Sequence, residues 1–331
     1  MTIDNATFFA GYNHLYHFHK ATLLFHYYEH PDKYFSDVLN PLYSPLERES
    51  FFFAKDEVYF KKAVALDLRS TYFHCIETLF NLIGVFKREA ECYRATGKMP
   101  NAFQALTEYP DKQLDEEIAR YGSNSSELDW MLEVVEGSDW TYGRHIFFFG
   151  LTPPDDDLEG YLRQAETSLQ AMKLGLSLLA EDLVDKGEYN SYKHGLRVLD
   201  AMRTFFILNK ETKEMYTVDA TNTLTFPKKR RKSVEIATTY VDVVRDYRMC
   251  VLGARFIQMM INQRRIAYNK KSIDVEQVPI SMFTEKSIRW HAERHVSNPI
   301  TTIELEDFER MTGIKVSLDR DSLDDESKSS H

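Results

Sequence analysis

Residues 69–83 read RSTYFHCIETLFNLI, and this stretch decides the fold class. At about 100° per residue, the repeat of an α-helix, its large apolar residues gather on one side and its polar residues on the other. The apolar side carries Tyr72, Phe73, Ile76, Leu79, Phe80 and Ile83, and the polar side carries Ser70, His74, Glu77, Thr78 and Asn81. The pattern predicts a helix that buries one face, with Arg69 among the apolar positions.

The helical pattern continues on both sides of this stretch. It predicts one long helix from about Lys55 to Thr96, ended by Gly97. Further helices are predicted at about residues 6–30, 158–187 and 233–269, the last of them capped by Ser233. These lengths favour a mainly α fold, a helical bundle with long central helices.

A short β-hairpin interrupts this helical pattern at about residues 203–226. The runs Phe205–Leu208 and Met215–Val218 are rich in β-branched and aromatic residues and flank a polar turn. A third run, Leu224–Phe226, is a candidate further strand. We therefore predict a helical domain over residues 1–312 with a hairpin insertion at 203–226, followed by a disordered acidic tail at 313–331.

Composition supports a globular protein with a large core. The chain has 22 Phe and 19 Tyr but only 13 Gly and 10 Pro, so bulky side chains are common and chain breakers are few. Its three cysteines show no paired spacing, and no segment has the signature of a secretory signal or a membrane span. These features predict a cytoplasmic protein with no membrane partner.

Arg69 and His74 form the first candidate site, an arginine followed by a histidine after four intervening residues on one helix. This arrangement resembles the signature of the HEPN superfamily of all-helical proteins, in which Ser70 matches a polar residue often found after the arginine. The resemblance implies a dimeric, metal-independent ribonuclease. His74 would then move protons at the 2′-hydroxyl or leaving oxygen, and Arg69 would stabilise charge on the phosphate.

A second interpretation of the same residues needs no chemistry. Arg69 projects into an apolar stripe, and an unpaired buried charge is costly, so it must find a carboxylate on another helix. His74 would then be a solvated surface residue. The same spacing recurs at Arg289 and His295, so the motif has low specificity.

Asn190, Lys193 and His194 form a second candidate site. Their spacing puts an amide, an ammonium and an imidazole on one helical face, where they could bind an anion. The stretch resembles an Asn-x-x-Lys-His-Gly pattern of uncharacterised helical bacterial proteins. Alternatively, Lys193 and His194 complement the helix dipole before Gly195, which would end the helix.

A basic run before the last predicted helix is a third candidate anion site. Lys228, Lys229, Arg230 and Arg231 are adjacent, and helix N-termini favour anions. With a formal net charge of −10, the protein is unsuited to coating nucleic acid, so RNA would need such a local patch. A solvated loop is the alternative.

Histidine pairs raise the question of a metal site. His26 with His30, and His291 with His295, have the i, i+4 spacing with which two imidazoles share an ion. Neither pair carries the His-Glu-x-x-His motif of metalloproteases, and histidines among aromatic residues often only fill a helix face. We predict no metal and no cofactor.

Two functional hypotheses follow from these motifs. The sharper one is a HEPN-like ribonuclease that uses Arg69 and His74 on RNA. The alternative is a non-enzymatic helical protein that dimerises or binds a partner through its aromatic faces. The position of Arg69 discriminates between them, since the first requires an accessible cleft and the second a buried carboxylate.

Overall fold

The computed structural model describes residues 3–42, 57–149, 157–184, 204–208, 215–219, 223–229, 234–269, 282–294 and 301–304. The chain divides into two compact units. A helical unit comprises Met1–Tyr189 and Val241–Ser297, and a strand-containing unit comprises Asn190–Tyr240 and Asn298–His331.

Helices account for most of the described residues, which confirms the mainly α prediction. They are α1 (Asn5–Gly11), α2 (Tyr16–Glu29), α3 (Pro31–Lys33), α4 (Asn40–Leu42), α5 (Glu57–Thr96), α6 (Ala102–Thr107), α7 (Asp111–Ser123), α8 (Tyr142–Phe147), α9 (Leu158–Leu183), α10 (Val243–Tyr268) and α11 (Glu285–Ala292). A π-helical turn, Tyr34–Leu39, joins α3 to α4, and a 3-10 helix covers Ser125–Leu132.

Helix α5 is the centre of the helical unit. Its 40 residues correspond to about 60 Å at about 1.5 Å per residue. Every residue of its predicted apolar face, from Tyr72 to Ile83, is at most 2% exposed, and the polar positions opposite are half-buried. Helices α2 and α10 pack against it. Gly97 ends the helix with φ of +64°, a conformation in which glycine pays no steric cost.

The observed boundaries of the other helices differ from the predicted ones. The first predicted helix is two, because Tyr12–Leu15 break it between α1 and α2. The predicted start of the last helix, at Ser233, is wrong, because residues 234–240 form a strand. Helix α10 begins at Val243. The Asp242 carboxylate caps it by accepting a hydrogen bond from the Arg245 amide. Helix α9 ends at Leu183, within the predicted range.

The strand-containing unit holds two antiparallel sheets. β1 (Thr204–Leu208) pairs with β2 (Met215–Asp219), which confirms the predicted hairpin. A three-stranded sheet consists of β3 (Thr223–Lys229), β4 (Val234–Tyr240) and β5 (Thr301–Glu304). Of these strands, the sequence pattern had predicted only the run at Leu224–Phe226. In that sheet the hydroxyls of Thr225 and Thr238 are buried and 3.1 Å apart.

Where α10 crosses α5 in the helical unit, close packing depends on a small residue. A Cβ atom on Gly253 of α10 would lie 3.0 Å from Sγ of Cys75 on α5, so glycine lets the two helices approach. Among the described residues, none of the helices is both long and apolar enough to cross a membrane. The predicted tail at 313–331 lies outside the described residues.

Candidate functional site

Arg69 is held by a carboxylate from a distant helix. Its Nη1 donates to both carboxylate oxygens of Asp246 on α10, at 2.9 and 2.8 Å. The Asp246 side chain is 1% exposed and that of Arg69 13% exposed. The guanidinium also lies over the Phe73 ring, 5.1 Å from its centroid. Arg69 therefore has a structural role in joining α5 to α10.

A second ion pair continues this network towards α9. Arg245 donates through Nη2 to Oδ1 of Asp182 at 3.0 Å, and its Nη1 lies 2.7 Å from Oδ2. The Tyr72 hydroxyl donates to the same Asp182 carboxylate at 2.5 Å. Arg245 also donates to the carbonyl oxygen of Ala292 at the end of α11. The network links four helices through charged groups that are mostly buried.

Burial dominates the electrostatics of Asp246. Complete burial raises the pKa of Asp246 to about 6, against the opposing effects of the Arg69 charge and hydrogen bonds and of Arg245. Asp246 is therefore ionised at neutral pH and bound to Arg69. Protonation of the carboxyl begins at a mildly acidic pH.

His74 lies on the other side of α5, towards α2. It is half-buried and interacts with its surroundings. Burial lowers the pKa of His17 to about 4, and the nearby His74 and Lys20 add to this effect. His17 on α2 is 9% exposed, and its Nε2 lies 3.3 Å from the Thr78 hydroxyl. The imidazole of His17 is therefore neutral at neutral pH.

The predicted anion-binding residues fall in or next to parts of the chain that the structure does not describe. Asn190, Lys193, His194, Arg230 and Arg231 lie outside the described residues. Lys228 and Lys229 lie on β3, paired in register with Glu235 and Val234, and their side chains are outside the described set. Anion binding at these residues stays a prediction.

The two predicted histidine pairs differ in their exposure to solvent. His26 and His30 are exposed on α2 and its end, with ring centroids 5.1 Å apart. His291 is buried and its Nδ1 lies 2.9 Å from the Arg248 carbonyl oxygen, while His295 lies outside the described residues. Across the described part of the chain, no group of three or more His, Cys, Asp and Glu side chains is arranged to hold a metal ion.

A cavity of about 750 Å³ opens elsewhere in the helical unit. It lies among four segments: residues 90–99 at the end of α5, the turn 135–140, residues 145–149 at the end of α8, and residues 267–268 at the end of α10. Tyr93, Trp140, Phe149 and Tyr268 line it, so we call it the aromatic cavity. Its volume is typical of sites for small molecules.

The turn on one side of the aromatic cavity has a defined shape. The amide of Val135 donates to the Trp140 carbonyl at 2.8 Å, and Gly137 has φ of +82°, which favours glycine. The Ser138 hydroxyl donates to the Val135 carbonyl at 3.0 Å and accepts from the Trp140 amide. These bonds place the Trp140 side chain at the cavity, where the Arg144 guanidinium lies 4.8 Å from its ring centroid.

Another part of the lining belongs to a group of near-parallel rings. Tyr268 stacks on Phe9, with planes 18° apart, and faces Phe149, with planes 19° apart and centroids separated by 6.4 Å. The Asn5 amide donates to the Tyr268 hydroxyl at 3.3 Å. Behind Phe149 lies the fully buried guanidinium of Arg264, 4.9 Å from its centroid.

The charge of Arg264 is compensated by Glu89 inside the wall of the aromatic cavity. Its Nε and Nη2 donate to Oε2 of Glu89 at 3.1 and 3.0 Å, and its Nη1 donates to the Ile146 carbonyl at 2.9 Å. Both side chains are at most 2% exposed. The pair ties α5 to α10 and to α8, and so fixes the segments around the aromatic cavity.

Among the residues that line the aromatic cavity, His145 has a strongly shifted pKa. Burial, assisted by the Arg264 charge, lowers the pKa of His145 to about 3, so the imidazole is neutral. Its Nε2 is covered and has no hydrogen-bond partner among the described residues. Arg94 and Glu136 form an ion pair at the same cavity, with both side chains well exposed.

Sequence reasoning missed the aromatic cavity and the partners of Arg69. The lining residues come from four separated segments, none of which carries a motif. Asp246 gave no clear signal, because it lies in the first turn of α10, where the helix dipole favours a carboxylate, and directly follows Arg245. Its pairing with Arg69 therefore appears only in the structure.

Comparison of the chain with protein-family models, with curated proteins and with solved structures gives no match.

Proposed function

We propose that this chain is a non-catalytic helical protein that binds a small partner molecule in the aromatic cavity. The observation that carries the proposal is the cavity itself, about 750 Å³ and walled by Tyr93, Trp140, Phe149 and Tyr268. Ligand sites in proteins are concave, mostly apolar and provided with a few polar groups. The cavity has this composition, with His145, Ser138 and the Arg94–Glu136 pair as its polar groups.

The state of these polar groups favours binding over catalysis. The Ser138 hydroxyl donates to a backbone carbonyl and not to His145, so the two do not form an activated nucleophile. His145 is neutral at neutral pH, with its Nε2 covered. Arg94 is engaged by Glu136.

The pairing of Arg69 also supports a non-enzymatic role. Asp246 holds both of its carboxylate oxygens against the Arg69 guanidinium, so a phosphate would have to displace a buried counter-ion. Ribonuclease activity at Arg69 and His74 is the competing hypothesis. It makes a different prediction, RNA cleavage in the presence of EDTA.

A fluorescent probe tests the proposed function. N-phenyl-1-naphthylamine is uncharged, and its emission increases when it enters an apolar site. We expect a saturable increase with a Kd below about 100 μM for the wild-type protein. Ala267→Phe fills the cavity from α10 and should weaken binding at least about tenfold.

The control variant is Ala95→Phe, which adds the same ring to an exposed position of α5 that does not line the cavity. It should bind the probe like wild type, and circular dichroism should show that both variants are folded. Absence of saturable binding, or equal binding by Ala267→Phe, would overturn the proposed function.

A further inference from the structure

The charges at the aromatic cavity balance one another. Of its lining residues in the described part of the chain, Arg94 and Glu136 carry formal charge, and they form an ion pair with each other. Deeper in the wall, the Arg264 charge is compensated by Glu89, and both side chains are at most 2% exposed. A charged ligand would have to exchange partners with this ion pair and would lose its hydration on entering the apolar part of the cavity. The cavity therefore favours an uncharged ligand.

The walls present aromatic rings and not only apolar volume. Phe149 and Tyr268 are stacked on each other, so they offer mainly their edges, whereas the Tyr93 ring is 51% exposed at the end of α5. Aromatic rings attract one another beyond the effect of buried area when they stack or meet edge to face. The Met99 thioether at the same cavity adds a group that also contacts rings favourably. These walls favour a planar ring system over a flexible chain.

Few polar atoms remain for a ligand to satisfy. The Ser138 hydroxyl is bonded within its own turn, and the Tyr268 hydroxyl accepts from Asn5. Nε2 of His145 has no partner among the described residues, but it is covered. A ligand with many hydrogen-bonding groups would leave most of them unpaired on burial, at a cost. We infer that the aromatic cavity binds an uncharged, planar, fused-ring aromatic molecule with few polar atoms. This inference rests on the proposed function and names its ligand class.

A matched set of probes tests the ligand class. N-phenyl-1-naphthylamine and 8-anilinonaphthalene-1-sulfonate share one ring framework, and only the second carries a negative charge. We expect the wild-type protein to bind the uncharged probe at least about tenfold more tightly. Acridone, which is planar and uncharged, should displace the bound probe, whereas 1-decanol, a flexible uncharged chain, should displace it only at an approximately tenfold higher concentration.

Leucine substitutions separate ring stacking from simple burial. Tyr93→Leu and Trp140→Leu keep an apolar side chain at the cavity but remove its ring face. Each should weaken acridone binding about threefold to tenfold and 1-decanol binding clearly less, by at most about twofold. Tyr16→Leu is the matched control, because Tyr16 is 50% exposed, as Tyr93 is 51% exposed, but lies on α2 and does not line the cavity.

The outcomes distinguish this inference from the proposed function. If 1-decanol displaces the probe as well as acridone does, and the leucine variants bind acridone like wild type, the planar-ring inference is wrong while the cavity still binds ligands. Equal affinity for the sulfonate would overturn the preference for an uncharged molecule. If the uncharged probe does not bind at all, the proposed function falls and this inference falls with it.

Discussion

Arg69 and Asp246 are 177 residues apart in sequence, yet Nη1 of Arg69 lies 2.9 and 2.8 Å from the two carboxylate oxygens of Asp246. The pair joins the first half of α5 to the first turn of α10, two long helices that pack against each other in the helical unit. Because Asp246 is 1% exposed, its charge depends on this one guanidinium and on the nearby Arg245.

Loss of Arg69 should therefore destabilise the fold. Arg69→Met leaves the Asp246 carboxylate buried without its main partner, and we expect the free energy of unfolding to fall by about 3–5 kcal/mol. Urea denaturation at neutral pH, followed by circular dichroism, measures the change.

The double variant Arg69→Met with Asp246→Leu is the control for this prediction. It removes both charges and should recover much of the loss, since replacing a buried ion pair by apolar residues is often close to neutral. A single variant as stable as wild type would show that the pair is dispensable.

Asp246 gives the stability a specific pH dependence. Its pKa is raised from 3.8 to about 6, so between these values the folded state keeps a proton that the unfolded state has lost. The contribution of Asp246 to the free energy of unfolding must then fall as pH rises from about 4 to about 6, by about 3 kcal/mol at most. The difference between wild type and Asp246→Asn should show this fall in urea titrations across that range. A difference that rises with pH would mean that Arg69 outweighs burial.

His17 should have the opposite pH dependence. Its pKa is lowered from 6.5 to about 4, so the unfolded state binds a proton that the folded state excludes. Stability should fall as pH falls from about 6.5 to about 4, and His17→Gln should lose part of this dependence. The comparison is made by thermal unfolding at several pH values. His26→Gln, at an exposed position of the same helix, controls for loss of a histidine. An unchanged profile in His17→Gln would contradict the burial of a neutral His17.

RNA cleavage separates the two functional hypotheses. Because Asp246 occupies Arg69, we expect the purified protein to leave a mixed RNA pool intact in EDTA, and folded His74→Ala to behave in the same way. Denaturing gel electrophoresis of the RNA after incubation provides the measurement. Cleavage by wild type that is absent from the folded variant would establish His74 as an active residue and replace the proposed function with the ribonuclease hypothesis.

Local sequence patterns predicted the parts of the fold that depend on local periodicity. Helices α5 and α9 bury one face along their length, and that face was visible as residues three and four apart. The start of α10 was predicted wrongly because Ser233 resembled a helix cap. The following Val234, Ile236 and Tyr240 have β-branched or aromatic side chains that favour a strand, and they form β4.

The candidate site depends on contacts that no local pattern encodes. Ala90 and Tyr268 line the same cavity although a long stretch of chain separates them, and the stacking of Tyr268 with Phe149 follows from the packing of α8 against α10. Arg69 was correctly expected to need a partner, but its pairing with Asp246 appears only when α5 and α10 are in place.

The most direct test of ligand binding in the aromatic cavity is to locate the bound probe. In protein labelled with ¹³C at the methionine methyl groups, Met99 lines the aromatic cavity, whereas Met282 is exposed and does not line it. Assignment by Met99→Leu and Met282→Leu, followed by titration with N-phenyl-1-naphthylamine, should shift the Met99 signal in a saturable way and leave Met282 unchanged. A Met99 signal that stays in place at saturating probe would contradict the claim that this cavity is the binding site.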